Sequence, residues 1–432
     1  MIKYREYQSL AISAAIKAKN GVCVLPTGSG KSVICAGIVE SSDGGVLVLQ
    51  PSLEILESNI AKAELLGIDA EVYSASAGKK AVGKVTYATI GSIIKKLDLF
   101  SHVESVIIDE CHLVNAKGGM YEQLISTMKP KRLIGLTATP YRLSSNSFGA
   151  SMKIITRTRP KLFDNILHVT NPSELVREGF LMEPEYITIA HDESMLRPNT
   201  TGAEFTESSQ IAFAKKNNIK AEIVDLVSRT GHNHYLVFID SVDESQKTVE
   251  LLLASGIPSA EINALTPKNE RREKLEGFRN GSIKVMVNVG TLTTGYDFPA
   301  LDCIVDASAT MSAALHYQKI GRVVRPFADK SPVVYCMAGN FRRLGNPLKY
   351  TMLKTASGKG YEVYSENGRV TTRIMTGKPE QDEIVGFGKH SGKRLGDVDT
   401  GYIEWASENL KGENKNLFYS ELMRRKLFCE AV

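Results

Sequence analysis

Short apolar runs rich in β-branched residues recur through the first part of the chain: Val22 to Leu25, Val46 to Leu49, Val85 to Ala88, Val106 to Ile108 and Leu133 to Leu136. Each is nearly continuous in apolar character, is bounded by turn residues and is separated from the next by a helix-length stretch. This pattern predicts strands of a parallel sheet covered on both faces. It stops after Pro140 and resumes with Tyr235 to Ile239, Val285 to Val287, Cys303 to Val305 and Val333 to Met337. Helix-length segments such as Val242 to Ser255 and Asn269 to Arg279 alternate with these runs, which predicts a second α/β domain. The less regular stretch Tyr141 to Thr230, with polar runs such as Arg197 to Gln210, reads as the connection plus the leading elements of that domain. Beyond Asn346 the chain turns to Gly, Lys, Ser and Thr, and Asn367-Gly368 between Tyr361 to Tyr364 and Val370 to Ile374 predicts a hairpin. The expected architecture is α/β, with domains over 1–165 and 166–345 and a linker, hairpin and small α+β module over 346–432.

Length supports this division, because 432 residues exceed one ordinary hydrophobic core. Hydrophobic content of 43% with 23% charged residues fits a soluble globular chain. No run approaches the roughly 20 apolar residues of a membrane span, and Met1 to Leu10 is too polar for a signal peptide, so a cytoplasmic location and no membrane partner are expected. Cys23, Cys35, Cys111, Cys303, Cys336 and Cys429 show no Cys-x-x-Cys spacing, which favours reduced core thiols over a disulfide frame or zinc module. The net charge of +5 is compatible with a phosphate-rich partner but decides nothing alone.

Two motifs carry chemistry. Pro26-Thr27-Gly28-Ser29-Gly30-Lys31-Ser32 follows the first strand and precedes the helix-like Val33 to Glu40. A glycine-rich turn feeding a helix N-terminus exposes N–H groups that cradle phosphate; Lys31 would add charge for the β and γ phosphates, and Ser32 could hold Mg²⁺. The strict P-loop pattern would place glycine where Leu25 stands. The second motif, Val106-Ile107-Ile108-Asp109-Glu110-Cys111-His112, ends an apolar strand on an acidic pair. One carboxylate would serve the metal and the other would orient and deprotonate the attacking water.

Asp109-Glu110-Cys111-His112 resembles the DECH form of motif II in superfamily 2 helicases, and the other family motifs follow in order. Arg5-Glu6-Tyr7-Gln8 is similar to the leading adenine motif, which implies that Gln8 reads the base edge and Arg5 supports it. Leu136-Thr137-Ala138-Thr139-Pro140 resembles motif III, Leu292-Thr293-Thr294-Gly295-Tyr296-Asp297 motif V, and Gln318-Lys319-Ile320-Gly321-Arg322-Val323-Val324-Arg325 motif VI with its arginine fingers. The resemblance implies two tandem RecA-like domains and ATP hydrolysis with Mg²⁺. It assigns catalysis to Glu110, Asp109, Lys31, Arg322, Arg325 and Gln318. Nucleotide binding falls to Arg5, Gln8, Thr27, Gly28, Ser29, Gly30, Lys31, Ser32, Gly295 and Asp297, and the metal to Ser32 and Asp109. Arginines three apart on one helical turn share a face, and planar guanidinium groups reach phosphate oxygens in pairs. By the same likeness Pro51, Ser52, Thr89, Ser92, Ser241, Arg271 and Thr294 line a nucleic-acid strand.

Wording around the motifs, such as Leu136 to Leu143 and Val287 to Asp297, resembles bacterial RadD-type repair helicases and related phage helicases. That group typically carries a cysteine-rich region after the motor, which this chain lacks, so the resemblance points to a phage or mobile-element version. In the tail, Phe387-Gly388-Lys389-His390-Ser391-Gly392-Lys393-Arg394-Leu395 and Gly401-Tyr402-Ile403-Glu404-Trp405 are similar to a Phe-Gly-Lys module appended to some exonucleases and phage replication proteins. These residues would form a stacking-plus-phosphate patch or a small core around the lone Trp, with a replication or repair protein as a further partner. The expected function is a DNA-dependent motor in repair, recombination or phage replication. The motor subunit of a restriction or nuclease complex, an ATP-gated clamp and an RNA-directed helicase are the alternatives.

Overall fold

The structure, a computed structural model, describes residues 3–115, 118–146, 149–158, 160–200, 202–293, 295–355, 360–366, 368–369, 385, 388–393, 395–411, 414–415, 417–419, 421–422 and 425. In the first domain the strands are β1 (Asn20–Val24), β2 (Gly45–Gln50), β3 (Glu71–Ser74), β4 (Lys79–Lys80), β5 (Val85–Thr89), β6 (Val103–Asp109), β7 (Arg132–Thr137), a hairpin of β8 (Tyr141–Asn146) and β9 (Gly149–Ile154), and β10 (Ile166–Val169). Eight of them form one sheet in the order β10-β1-β7-β6-β2-β5-β3-β4, parallel except where β4 turns back on β3.

The second domain contributes β11 (Glu185–Thr188), β12 (Tyr235–Phe238), β13 (Ser259–Ile262), β14 (Val285–Asn288), β15 (Cys303–Asp306) and β16 (Val333–Cys336). They form a six-stranded parallel sheet in the order β11-β16-β15-β12-β14-β13. Side chains on a strand alternate between faces, and the burial follows that period. Val46 and Val48 of β2 enter one apolar cluster, and Leu47 and Leu49 enter another. Leu236 and Phe238 of β12 enter the first cluster, and Tyr235 and Val237 fill the far face of their own sheet. The shared cluster joins Leu25, Ile34 and Leu136 to Leu236, Phe238 and Val323, so the domains meet through apolar contact as well as charge.

A strand is present at each apolar run expected from sequence between Val22 and Met337. The irregular stretch proves richer: it holds the β8–β9 hairpin, β11 and the helices Glu207–Lys216 and Ile219–Arg229. β10 lies beyond the expected 165/166 boundary yet pairs with β1, so the first sheet extends past it. Every residue of β10 is only half-buried, as an edge strand allows, and this robs it of the continuous apolar signature of its neighbours.

A three-stranded antiparallel sheet follows, with β17 (Thr351–Lys354), β18 (Tyr361–Ser365) and β19 (Gly368–Arg369). Ser365 pairs with Gly368 where the hairpin was expected; Asn367 and Val370 to Ile374 lie outside the described residues. Tyr350, Met352 and Val363 pack with Tyr141 and Phe163 of the first domain, and the Met352 N–H donates to Asn171 Oδ1 at 2.9 Å. The tail has its own apolar cluster of Leu395, Val398, Ile403, Ala406 and Phe418 around the helix Thr400–Asn409, which Asp399 caps through the Tyr402 N–H at 2.8 Å. Cys23, Cys35, Cys111, Cys303 and Cys336 are buried free thiols, and Cys429 lies outside the described residues. Among the described residues no helix is long and apolar enough to cross a membrane.

One buried ionic cluster anchors the second domain. Asp306 ends β15 fully buried, with Lys319 Nζ and Asn340 Nδ2 each 2.8 Å from its carboxylate and His316 Nδ1 at 3.6 Å. Burial alone would raise this carboxyl, but Lys319, His316 and Asn340 hold it well below the usual carboxylate range. Removing the cation leaves an uncompensated buried charge. Lys319→Met is therefore expected to cost about 3–5 kcal/mol of stability, read from the shift of the urea midpoint by circular dichroism. An unchanged midpoint would overturn the assignment.

Candidate active site at the domain interface

In a parallel sheet the C-terminal strand ends share one edge, and the loops that leave it converge. That edge of the first sheet presents Pro26 to Ser32 after β1, Pro51 and Ser52 after β2, Asp109 and Glu110 at the end of β6, and Thr137 to Thr139 after β7. Together with loops of the second domain they border a cleft of about 450 Å³, lined by Arg5, Thr27, Lys31, Ser32, Asp109, Glu110, Gly295, Asp297, Arg322 and Arg325 among others.

The phosphate loop takes the backbone conformation that its glycines permit. Gly28 and Gly30 have φ of +85° and +79°, and a Cβ on Gly30 would come 2.8 Å from Gln8 Nε2. The helix Lys31–Glu40 starts here, so its free N–H groups and dipole lie at the cleft. Lys31 Nζ stands 3.4 Å from Glu110 Oε1. Glu110 itself has φ of +46°, a costly conformation for a residue with a side chain, adopted directly after the strand ends.

The two acids differ in environment. Burial, and then the neighbouring Glu110 charge, raise the Asp109 carboxyl above its ordinary value. Burial also pushes Glu110 up, but Lys31, His112 and Arg322 outweigh it and hold Glu110 low. Glu110 is thus ionised, and a cation arriving beside Asp109 would favour its charged form as well. The Glu110 N–H donates to Asp109 Oδ1 at 2.9 Å, and Asn59 Nδ2 donates to Asp109 Oδ2 at 3.0 Å. The Ser32 hydroxyl donates to Asn59 Oδ1, so Ser32 and Asp109 converge on one side chain. A hydroxyl and a carboxylate that converge beside an open cleft form a hard-oxygen set suited to Mg²⁺ that keeps most of its waters.

At one end of the cleft the Arg5 guanidinium lies 3.8 Å above the Phe180 ring. Gln8 accepts the Arg5 N–H at 3.0 Å and donates to Ser29 O at 3.1 Å, which ties Arg5 and Gln8 to the phosphate loop. From the second domain, buried Arg322 donates to Tyr296 O at 2.7 Å and Gln318 O at 3.2 Å, and Arg325 pairs with Asp297, which Lys62 also approaches at 3.7 Å. Burial brings both guanidinium groups down to about 10, which leaves them cationic at neutral pH. Across the interface Gln318 Nε2 lies 3.2 Å from His112 Nε2, and the Thr27 N–H donates to Tyr317 Oη at 3.1 Å. A Cβ on Gly321 would come 2.9 Å from Thr27 Cβ, a close approach that only glycine allows.

Of the expected strand-lining residues, Ser52, Thr89, Ser92, Ser241 and Arg271 stand at or beyond the C-terminal ends of strands, where each has a local partner. Ser52, after Pro51, caps the helix Leu53–Leu65, and Ser241 caps the helix Val242–Ala254. Thr89 Oγ1 lies 3.2 Å from Ser74 Oγ and 2.9 Å from Ser92 Oγ, and Ser92 accepts the Ala75 N–H. Arg271 donates to Asn263 O at 2.8 Å and reaches across to Glu54 at 3.9 Å. Thr294, like Phe387 and Arg394 of the tail, lies outside the described residues.

Sequence reasoning missed Asn59, Phe180, Tyr317 and Asn288. Asn288 Oδ1 accepts from Thr291 N, Thr291 Oγ1 and Leu292 N and so fixes the loop that carries Gly295 and Asp297. For Asn59 a signal existed: it falls within the buried helical stripe Ile55, Leu56, Ile60 and Ala63, where an amide needs a polar partner. Phe180 had none, since one aromatic after a short helix is ordinary.

Comparison with known proteins agrees with the α/β fold. Residues 1–142 match the family described as type III restriction enzyme, res subunit, and residues 215–326 match the helicase conserved C-terminal domain. A 51.5 kDa protein of a Lactococcus phage is 25% identical over 327 residues, which cover 74% of this chain and 66% of the relative. The DNA 3'-5' helicase XPB of Mycobacterium tuberculosis is 24% identical over 352 residues, 77% of this chain and 59% of the relative. The chain thus spans between 59% and 66% of these two relatives. Among solved structures, the ATP-dependent Type ISP restriction-modification enzyme LlaBIII bound to DNA aligns with a TM-score of 0.58 and 16% identity, over 78% of this chain and 28% of that one. Neither matched family region reaches the tail, so its Phe-Gly-Lys likeness stays an expectation.

Proposed function

We propose that this chain, which carries the superfamily 2 helicase fold of two RecA-like domains, is a DNA-dependent ATPase that converts closure of its cleft into movement along or separation of DNA strands. The observation that carries this reading is the division of one site between two domains. Lys31, Asp109 and Glu110 belong to the first and Arg322 and Arg325 to the second, all on a single cleft. In this reading the N–H groups of Gly28 to Ser32 and the Lys31 ammonium hold the β and γ phosphates, while Arg5 and Gln8 meet the adenine. Glu110 accepts the proton of the attacking water, and the two arginines stabilise charge on the transferred phosphoryl group. Mg²⁺ at Ser32 and Asp109 neutralises phosphate charge when bound. A strand held by Ser52, Thr89, Ser92, Ser241 and Arg271 keeps the domains together and completes the site.

ATP turnover is therefore expected to rise strongly when DNA is added, with single-stranded, duplex, forked and four-way DNA and RNA compared in one assay. Equal turnover with and without nucleic acid would overturn the reading, and stimulation by RNA alone would redirect it. We place the docking of a replication or repair partner on the tail, where Trp405 stays half exposed beside Tyr402. A second reading, the motor of a restriction assembly, is favoured by the res-subunit likeness over residues 1–142. Turnover that requires a particular duplex sequence would select it.

A further inference from the structure

Asn59 lies nine-tenths buried at the floor of the cleft and touches both residues that fit a divalent cation. Its carbonyl oxygen accepts from the Ser32 hydroxyl, and its amide nitrogen donates to Asp109 Oδ2. Accepting the hydrogen bond from the Ser32 hydroxyl leaves the lone pairs of its Oγ available to a cation. Donating to Oδ2, while the Glu110 N–H holds Oδ1, fixes the carboxylate plane. A carboxylate at this position could not donate to Asp109, and an aliphatic residue could do neither.

The helix that carries Asn59 also touches the second domain at three points. Glu54 faces Arg271, Ile55 lies where a Cβ on Gly295 would come 2.6 Å from Ile55 Cγ1, and Lys62 approaches Asp297. Its first turn is capped by Ser52, one of the candidate strand contacts. Displacement of this helix by a bound strand or by the second domain is thereby felt at Ser32 and Asp109 through one amide.

We propose that Asn59 is a positioning residue that presets Ser32 and Asp109 as a pair for the divalent cation and links their geometry to the helix Leu53–Leu65. The proposal rests on the reading of the cleft as a Mg²⁺-nucleotide site, and its test separates the two. Second-layer partners of a metal site commonly change metal affinity by about 10–100-fold when lost. Fluorescent mant-ADP binding to the full chain would be titrated without Mg²⁺ and across a Mg²⁺ series. In Asn59→Leu the metal-free affinity is expected to stay within about twofold, while the Mg²⁺ concentration for half-maximal gain in affinity rises by about tenfold or more. In Asn59→Asp, a carboxylate beside Asp109 repels it without metal and adds an oxygen donor with it, so the Mg²⁺ midpoint falls below that of Asn59→Leu. A role confined to packing would move metal-free and metal-dependent binding together and would not be rescued by Asp. If the natural chain shows no Mg²⁺-dependent nucleotide binding, the site reading fails. If it does and Asn59→Leu shares its midpoint, Asn59 has no positioning role. If Asn59→Leu does not fold, Asn59→Ala carries the same comparison, and a midpoint equal to that of the natural chain overturns the proposal.

Discussion

Glu110→Gln is expected to bind ATP and Mg²⁺ normally and to hydrolyse it about 10²–10⁴-fold more slowly. The ionised Glu110 carboxylate faces Lys31 on one side and His112 on the other, at 3.4 and 3.3 Å, and is held there by a strained backbone turn. Glutamine keeps that shape and can still accept a hydrogen bond, but it cannot take up the proton of water at neutral pH. Ser32, Asp109 and the loop N–H groups are untouched, so binding should survive. Equilibrium nucleotide binding and single-turnover hydrolysis on the same preparation would check the split. Turnover at the natural rate would show that another group is the base.

Arg325→Ala should leave nucleotide affinity within about tenfold and lower turnover on the order of 10³, the scale of an arginine finger. In this structure Arg325 is paired with Asp297, its neighbour on the cleft wall. Phosphate oxygens must therefore compete with a carboxylate, and the guanidinium contributes most when charge builds on the transferred group. Asp297→Asn distinguishes this from a structural bridge. If Arg325 merely held Asp297 in place, the two variants would lose turnover alike; if it acts on phosphate, the Asn variant should retain far more activity. Steady-state kinetics of both with saturating DNA would decide.

Much of this site was legible from the sequence because its chemistry is local. A loop such as Pro26 to Ser32 needs glycines in fixed positions and a lysine at a helix start, and Asp109-Glu110 must follow a strand. Buried parallel strands were equally plain, since β2 is covered on both faces and has no polar position to confuse the reading until Gln50. β10 and β11 were not, because edge strands can be half-exposed and resemble loops. Pairings between distant segments were also hidden. Nothing local shows that Tyr317 will accept the Thr27 N–H, or that Phe180 will lie under Arg5. Asn59 falls between these cases: the helical period revealed that it is buried, but only the fold revealed its partners.

Among the described residues the chain passes between its two domains twice, once after β10 and again before β17, whose separate sheet packs on the first domain. The two passages run side by side. Met352 is bonded to Asn171, and Asn346 reaches both Tyr186 and Glu183, at 3.0 and 2.9 Å. Two covalent crossings bonded side by side make a natural pin between the domains, about which a swing disturbs fewer of these bonds than a slide would. A rotation about that pin would open the cleft, with a travel that grows with distance from it. A change of a few degrees in backbone torsion at this seam is geared up at the outer rim without breaking a strand of either sheet.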